Sequence, residues 1–184
     1  MANMSILIPG AIAAKHIDAL NKVCTSAAVM QNGNVITLGA LSSTRQLADV
    51  YTAGTPATAT LNSAIYGIVN EPVRVTTTQG ASTYLGLNDD PRNFSIPIGT
   101  PFGVFIPKKG DEFKISVDGV TGTYNASTAQ YLAPVNGTST LTWVGSAALA
   151  TTAVVFLCVN ASDFISVGNV PRVNAYRMLC VQAG

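Results

Sequence analysis

The chain has 184 residues with a formal net charge of +1, and only 10% of them are charged, against about 25% in an ordinary soluble domain. That length suits a single domain with a core of its own. The few basic residues are scattered, which excludes a direct nucleic-acid ligand because that needs a basic stripe, and the longest apolar run, Ala147 to Val159, is too short to span a bilayer.

Residues 1–22 read as an N-terminal arm or short helix ahead of a domain covering 23–184. Ile6-Leu7-Ile8 is apolar and extended, Pro9-Gly10 interrupts it, and no basic residue precedes it as an export signal requires. From residue 11 to 22, Ile12, Ala13, His16, Ile17 and Leu20 fall on one helical face. So short a helix is marginal without packing, and an arm lying on a partner fits equally. Ile6, Leu7, Ile8, Ile12 and Ile17 are therefore candidate partner-interface residues, with Lys15 and Lys22 left in water. Deleting residues 2–14 is then expected to leave the β domain folded.

Asn32-Gly33-Asn34 is a turn signal ahead of a strand at 35–38. The piece from Asp49 to Leu61 holds Gly54 and Pro56 and reads as a sheet edge or bend, since proline cannot donate to a ladder. Short strands follow at 64–69 and 73–78, then a turn at Gln79-Gly80 and a loop from Tyr84 to Asn93.

The strongest pattern runs from Ile96 to Val117. An apolar run through Phe102, Val104, Phe105 and Ile106 stops at Pro107. Lys108-Lys109-Gly110-Asp111 then carries turn chemistry. Beyond it Phe113, Ile115 and Val117 alternate with Glu112, Lys114 and Ser116, the period of a half-buried strand. The segment reads as a central hairpin whose tip, Lys108, Lys109, Gly110 and Asp111, is exposed. Turns follow at Asp118-Gly119, Gly122 and Asn136-Gly137, around an irregular stretch from Tyr124 to Pro134. A strand from Ser139 to Val144 comes next, then a buried strand from Val154 to Val159, a loop from Asn160 to Asn169, and a last strand from Val173 to Val181. Many short strands with regular turn signals define an all-β fold, a single β-sandwich or β-barrel domain with its N-terminal arm or short helix.

Candidate chemistry is sparse. His16 is the lone histidine, distant in sequence from Cys158 and Cys180, and reads as an exposed or interface residue rather than a catalytic base. The three cysteines, with Cys24, form no C-x-x-C pair, and an odd number argues against a disulfide framework; synthesis in a reducing cytoplasm fits. Asp89-Asp90 reads as turn chemistry rather than a calcium site, which needs six or more oxygens. Asp111 and Glu112 cannot work as paired glycosidase carboxylates, because adjacent strand residues point to opposite faces. Trp143, Tyr124 and Tyr131 read as packing before they read as a sugar platform. The expectation is a non-enzyme without metal or cofactor. A surface of Thr, Ser, Ala, Asn and Gly suits close neighbours, since these desolvate at far less cost than Lys or Glu.

The segment P-F-G-V-F-I-P-K-K-G-D-E-F-K-I-S at 101–116 resembles the strand–turn–strand segment of head decoration, or cement, proteins of tailed bacteriophages. D-V-Y-T-A-G-T-P-A-T-A-T-L at 49–61 and I-V-N-E-P-V at 68–73 are similar to the early half of such proteins. The resemblance implies a non-enzymatic β-barrel or β-sandwich that forms trimers or dimers. It would bind the major capsid protein on the outer surface of an icosahedral virion and stabilise the shell, after synthesis in the host bacterial cytoplasm. The alternative is a receptor- or glycan-binding module of a phage tail or fibre. Neither nucleic acid nor membrane is expected as a partner.

Overall fold

The computed structural model describes residues 5–43, 49–58, 61–72, 76–79, 82–85, 94–166 and 172–183. The chain is all-β, built from two sheet bodies. A closed barrel has the order β2 (Asn21–Thr25), β4 (Tyr51–Gly54), β3 (Val35–Leu41), β5 (Tyr66–Val69) and β8 (Phe102–Phe105). An open sheet has the order β1 (Leu7–Pro9), β9 (Glu112–Ser116), β14 (Val173–Gln182), β13 (Val155–Ile165), β11 (Tyr131–Ala133), β12 (Leu141–Val144) and β10 (Val120–Thr121). Among the described residues, β6 (Thr76–Gln79) and β7 (Ser82–Leu85) pair only with each other. The helix α1 is a single turn, Ala148–Thr151.

The open sheet is curled. Trp143 on β12 and Tyr176 on β14 have ring centroids 4.9 Å apart, although β11 and β13 lie between their strands. Three strand spacings in a flat sheet would hold them about 14 Å apart.

Neighbouring residues on the barrel strands feed two cores. Ile36, Val69, Phe102 and Val104 fill the barrel interior with Cys24 and Met30. Val35, Ile68 and Phe105, one residue along, point outward and pack on Phe113, Ile115, Phe156 and Met178 of the curled sheet. Strands buried on both faces read as continuous apolar runs rather than alternating ones. This is why Val-Ile, Ile-Val and Val-Phe pairs occur at 35–36, 68–69 and 104–105.

The central hairpin does not form. β8 pairs with β2 and β5, whereas β9 pairs with β1 and β14. The turn between them is real: Asp111 N–H donates to Lys108 C=O at 3.0 Å, and Gly110 supplies a φ of +97°. It carries the chain from the barrel to the curled sheet, so its flanking strands diverge. The alternation also ends one residue early. Val117 enters a 3-10 turn, Val117–Gly119, and is exposed, while Ser116 is fully buried. Its hydroxyl accepts the Ile6 N–H at 2.9 Å.

The N-terminal segment is neither an appended arm nor an α-helix. β1 is an antiparallel strand on β9, Leu7 opposite Ile115 and Pro9 opposite Phe113. Two 3-10 turns follow, Ala13–His16 and Asp18–Leu20, and the chain enters the barrel at Asn21. The Asn21 side-chain amide donates to the Ala14 and Ile17 carbonyls, taking acceptors that a continuing α-helix would use. Ala14, not the expected apolar face, is the buried residue of this stretch.

Two smaller expectations change. β4 stops before Pro56 and lies inside a closed barrel, so of the two readings of this piece, edge or bend, the edge falls for β4. β13 runs through Asn160 to Ile165 where a loop was expected. Register shifts between Cys158 and Asn160 and between Asn160 and Asp163 keep it paired with β14, as bulges do when the side-chain pattern breaks. The 84–93 loop expectation, with Asp89 and Asp90, falls almost wholly outside the described residues.

Candidate functional site: interaction surfaces

The Lys108–Asp111 turn is a staple anchored by one buried carboxylate. Asp111 is only 4% exposed. Its carboxylate accepts the Ala13 N–H at 2.8 Å and the Lys108 N–H at 2.7 Å. Gly110 N–H donates to Cys180 C=O, Cys180 N–H donates to Asp111 C=O, and Glu112 N–H donates to Ala11 C=O, each at 2.8 Å. One turn thus ties together the N-terminal segment, β9 and the end of β14. Of the expected exposed tip, Lys109 and Gly110 face water, Lys108 is half-buried, and Asp111 is withdrawn. The turn chemistry was legible, but not which donors the carboxylate would serve, since Ala13 lies 98 residues away.

The apolar N-terminal residues divide likewise. Ile6 is 3% and Leu7 4% exposed within the chain's own fold, so neither is free for a partner. Ile12 is partly buried against the main core. Only Ile8 and Ile17 remain exposed. The reason is register: Leu7 lies opposite the core residue Ile115, and Ile8 opposite outward-facing Lys114.

The residues weighed for catalysis do not converge. His16 is exposed on a 3-10 turn. Cys24 lies inside the barrel and Cys180 in the main core. Burial pushes the Cys24 thiol up to about 11 and the Cys180 thiol up to about 12, which disfavours the reactive thiolate. Asp111 and Glu112 diverge as expected, one to backbone donors and one to Arg177. A cleft of about 210 Å³ on the barrel is lined by Asn21, Lys22, Val23, Asn70, Gly103, Val104 and Phe105, without a carboxylate pair. Among the described residues, no three His, Cys, Asp or Glu side chains gather as metal ligands. No described helix is long and apolar enough to cross a membrane.

The aromatic platform is also rearranged. Trp143 packs edge-on against Tyr124, centroids 5.1 Å apart, and against Tyr176. Tyr131 stands on the opposite face of the sheet, with Val144 and Leu157 as cross-strand partners. Trp143 is buried, and its Nε1 has no hydrogen-bond partner. Tyr176 completes the cluster only because the sheet curls.

Two surfaces remain. At one barrel end, the loops 26–30 and 96–100 lie side by side, joined by a Met30–Ile96 bridge and by the Gly99 N–H donating to Ser26 C=O at 2.9 Å. Val29 is 54% and Ile98 62% exposed, and both loops lack charge. The other surface is the outer face of the curled sheet. There Asp163 accepts from Lys114 Nζ at 2.9 Å and from Arg177 Nε at 2.9 Å, and Arg177 Nη1 reaches Glu112 at 3.2 Å. The Lys114 hydrogen bond first, then the Phe164 N–H and Arg177, hold the Asp163 carboxyl down at about 2. Phe164 lies under the Arg172 guanidinium at 4.2 Å. Comparisons with protein families, curated proteins and solved structures find no match for this chain.

Proposed function

We propose that this chain is a non-enzymatic structural subunit that joins copies of itself and attaches to the outside of a larger protein shell, as the phage head decoration proteins it resembles do. The carrying observation is the pair of uncharged loops, 26–30 and 96–100, at one barrel end. Two short loops project Val29 and Ile98 into water while backbone hydrogen bonds clamp them together. Large apolar groups held rigidly at a tip lose little entropy on docking and fit a hydrophobic recess on a protein surface. The low charge of the whole chain supports the same reading, because most of its surface desolvates cheaply.

The test is co-sedimentation of the purified protein with undecorated shells of the phage that encodes it. Binding is expected for the natural chain, and Val29→Asp with Ile98→Asp is expected to abolish it without changing the melting transition. Failure of the natural chain to sediment with shells sinks the shell-binding role.

A further inference from the structure

We infer that Asn136 is a site of spontaneous chemical modification, the deamidation of an Asn-Gly turn, and that the fold shields the same dipeptide at Asn32. The inference needs no partner and stands apart from the shell-binding reading.

The chain holds two Asn-Gly dipeptides, at 32–33 and 136–137. In such a pair the glycine amide nitrogen can attack the asparagine side-chain carbonyl, because glycine has no Cβ to hinder the approach. The nitrogen gives up its proton to water and bonds to Cγ. The Cγ–Nδ2 bond breaks and ammonia leaves, which closes a succinimide ring. Water then opens the ring at Cγ to give aspartate, or at the main-chain carbonyl to give isoaspartate. The second product carries an extra methylene in the backbone.

Locally the two turns are alike. Asn34 N–H donates to Gln31 C=O at 3.1 Å, and Thr138 N–H to Val135 C=O at 3.4 Å. Gly33 has a φ of +86° and Gly137 of +81°, as the third residue of a type II turn requires. Each glycine N–H donates to a distant carbonyl at 2.9 Å, that of Val69 for Gly33 and that of Pro56 for Gly137. A difference in reactivity between them therefore comes from what surrounds each turn.

The surroundings differ in three ways. Asn32 is 4% exposed, whereas Asn136 stands in water. The Asn32 carboxamide is gripped at both ends: Nδ2 donates to Glu71 C=O at 2.9 Å, and Oδ1 accepts the Glu71 N–H at 2.8 Å. The Asn136 carboxamide is held at one end, where Oδ1 accepts the Thr58 N–H at 3.1 Å. Its Nδ2, the departing group, has no partner among the described residues. Room differs as well. A Cβ on Gly33 would lie 2.8 Å from Ile115 Cδ1 and 3.0 Å from Ser5 Oγ, while one on Gly137 would meet nothing within 4 Å. Closing the ring at 136 breaks the Thr58 and Pro56 bonds in water. Closing it at 32 breaks three bonds in an enclosed site. Chemistry that needs a local opening follows the population of the open form, so Asn32 should react about tenfold or more slowly.

The modification has a structural consequence. Pro56 and Thr58 follow β4 of the barrel, and the 136–137 turn lies between β11 and β12 of the curled sheet, so this turn bridges the two bodies. Aspartate keeps an oxygen for the Thr58 N–H. Isoaspartate lengthens the backbone and carries the Gly137 N–H away from Pro56.

The experiment ages the natural chain in mildly alkaline buffer, once folded and once unfolded in urea, and follows both sites by peptide mapping with mass spectrometry. In the folded chain Asn136 should convert to the acids about tenfold or more faster than Asn32. In urea the two should convert at similar rates. Equal rates in the folded chain, or an unchanged Asn136 where the unfolded chain reacts, overturn the assignment. Unequal rates in urea of the same size as in the folded chain place the cause in the local sequence and overturn the shielding. Asn136→Gln, checked by circular dichroism, should remove the mass gain at 136. The aged protein should melt below Asn136→Asp, and equal melting would overturn the bridging role of the turn.

Discussion

Replacing Asp111 by Ala tests the passage from barrel to curled sheet directly. The substitution removes the acceptor of two backbone donors, Ala13 N–H at 2.8 Å and Lys108 N–H at 2.7 Å, from a site that is almost fully enclosed. A hydrogen bond to a charged group contributes about 1.5–3 kcal/mol, and an orphaned buried donor costs a similar amount. The two bonds share one carboxylate and one turn, so they do not add fully, and the expected loss is about 2–4 kcal/mol. For a chain of this size that corresponds to a fall in Tm of about 4–16 °C at about 2–4 °C per kcal/mol. In urea it corresponds to a midpoint shift of about 0.7–2 M, taking a slope of about 2–3 kcal/mol/M. Asp111→Asn keeps one carbonyl oxygen and should lose about half as much. Lys109→Ala, at an exposed position of the same turn, should cost less than about 0.5 kcal/mol. Equal urea midpoints for Asp111→Ala and Lys109→Ala would refute the staple and restore an exposed tip.

Phe113 is fully buried and meets Phe156 and Phe105 edge-on, with centroids 5.0 and 6.5 Å away; Phe113→Ala should cost about 3–5 kcal/mol in urea unfolding, and a loss below about 1 kcal/mol would contradict the shared core of the two bodies. Removing residues 2–14 deletes β1 and the Ala13 donor to Asp111. The truncated chain should therefore be unfolded or strongly destabilised by circular dichroism, and a native melting transition would return the segment to the role of an arm. Asp163 is held at about 2, below its ordinary 3.8. A carboxyl with a depressed folded-state pKa stabilises fully above the unfolded value and loses that contribution as pH falls through the folded one. Melting temperature should thus drop between about pH 4 and pH 2, and Asp163→Asn should flatten that part of the profile; an unchanged profile would show that the Lys114 and Arg177 contacts are not made in solution.

Local physics made much of this chain legible in its sequence. Gly33, Gly110 and Gly137 sit in turns at positive φ, a conformation that L side chains resist, so glycine-bearing turn motifs could be placed without a structure. Leu141 and Trp143 alternate with Thr142 and Val144 and are buried as their period requires. The all-β class followed from many such short segments. Partner choice did not follow, because a strand's side-chain pattern says which face is buried and not which strand lies beside it. Phe102–Phe105 and Glu112–Ser116 look like the arms of one hairpin, yet each finds its ladder in a different sheet. The apolar run at Ile6–Ile8 was visible, but whether its own core or a neighbour would cover it depended on Leu7 meeting Ile115, more than a hundred residues away. Asp111 shows the same limit: a carboxylate in a turn motif reads as exposed until a distant backbone brings its N–H groups to it. The row of Val144, Tyr131, Leu157 and Leu179 comes from four separate strands, and Tyr131 and Val144 in it pack against Ala133, Ala148 and Val155 of the same chain. It exists only once tertiary pairing sets those strands in register, since contact across strands is a property of the sheet and not of any single segment.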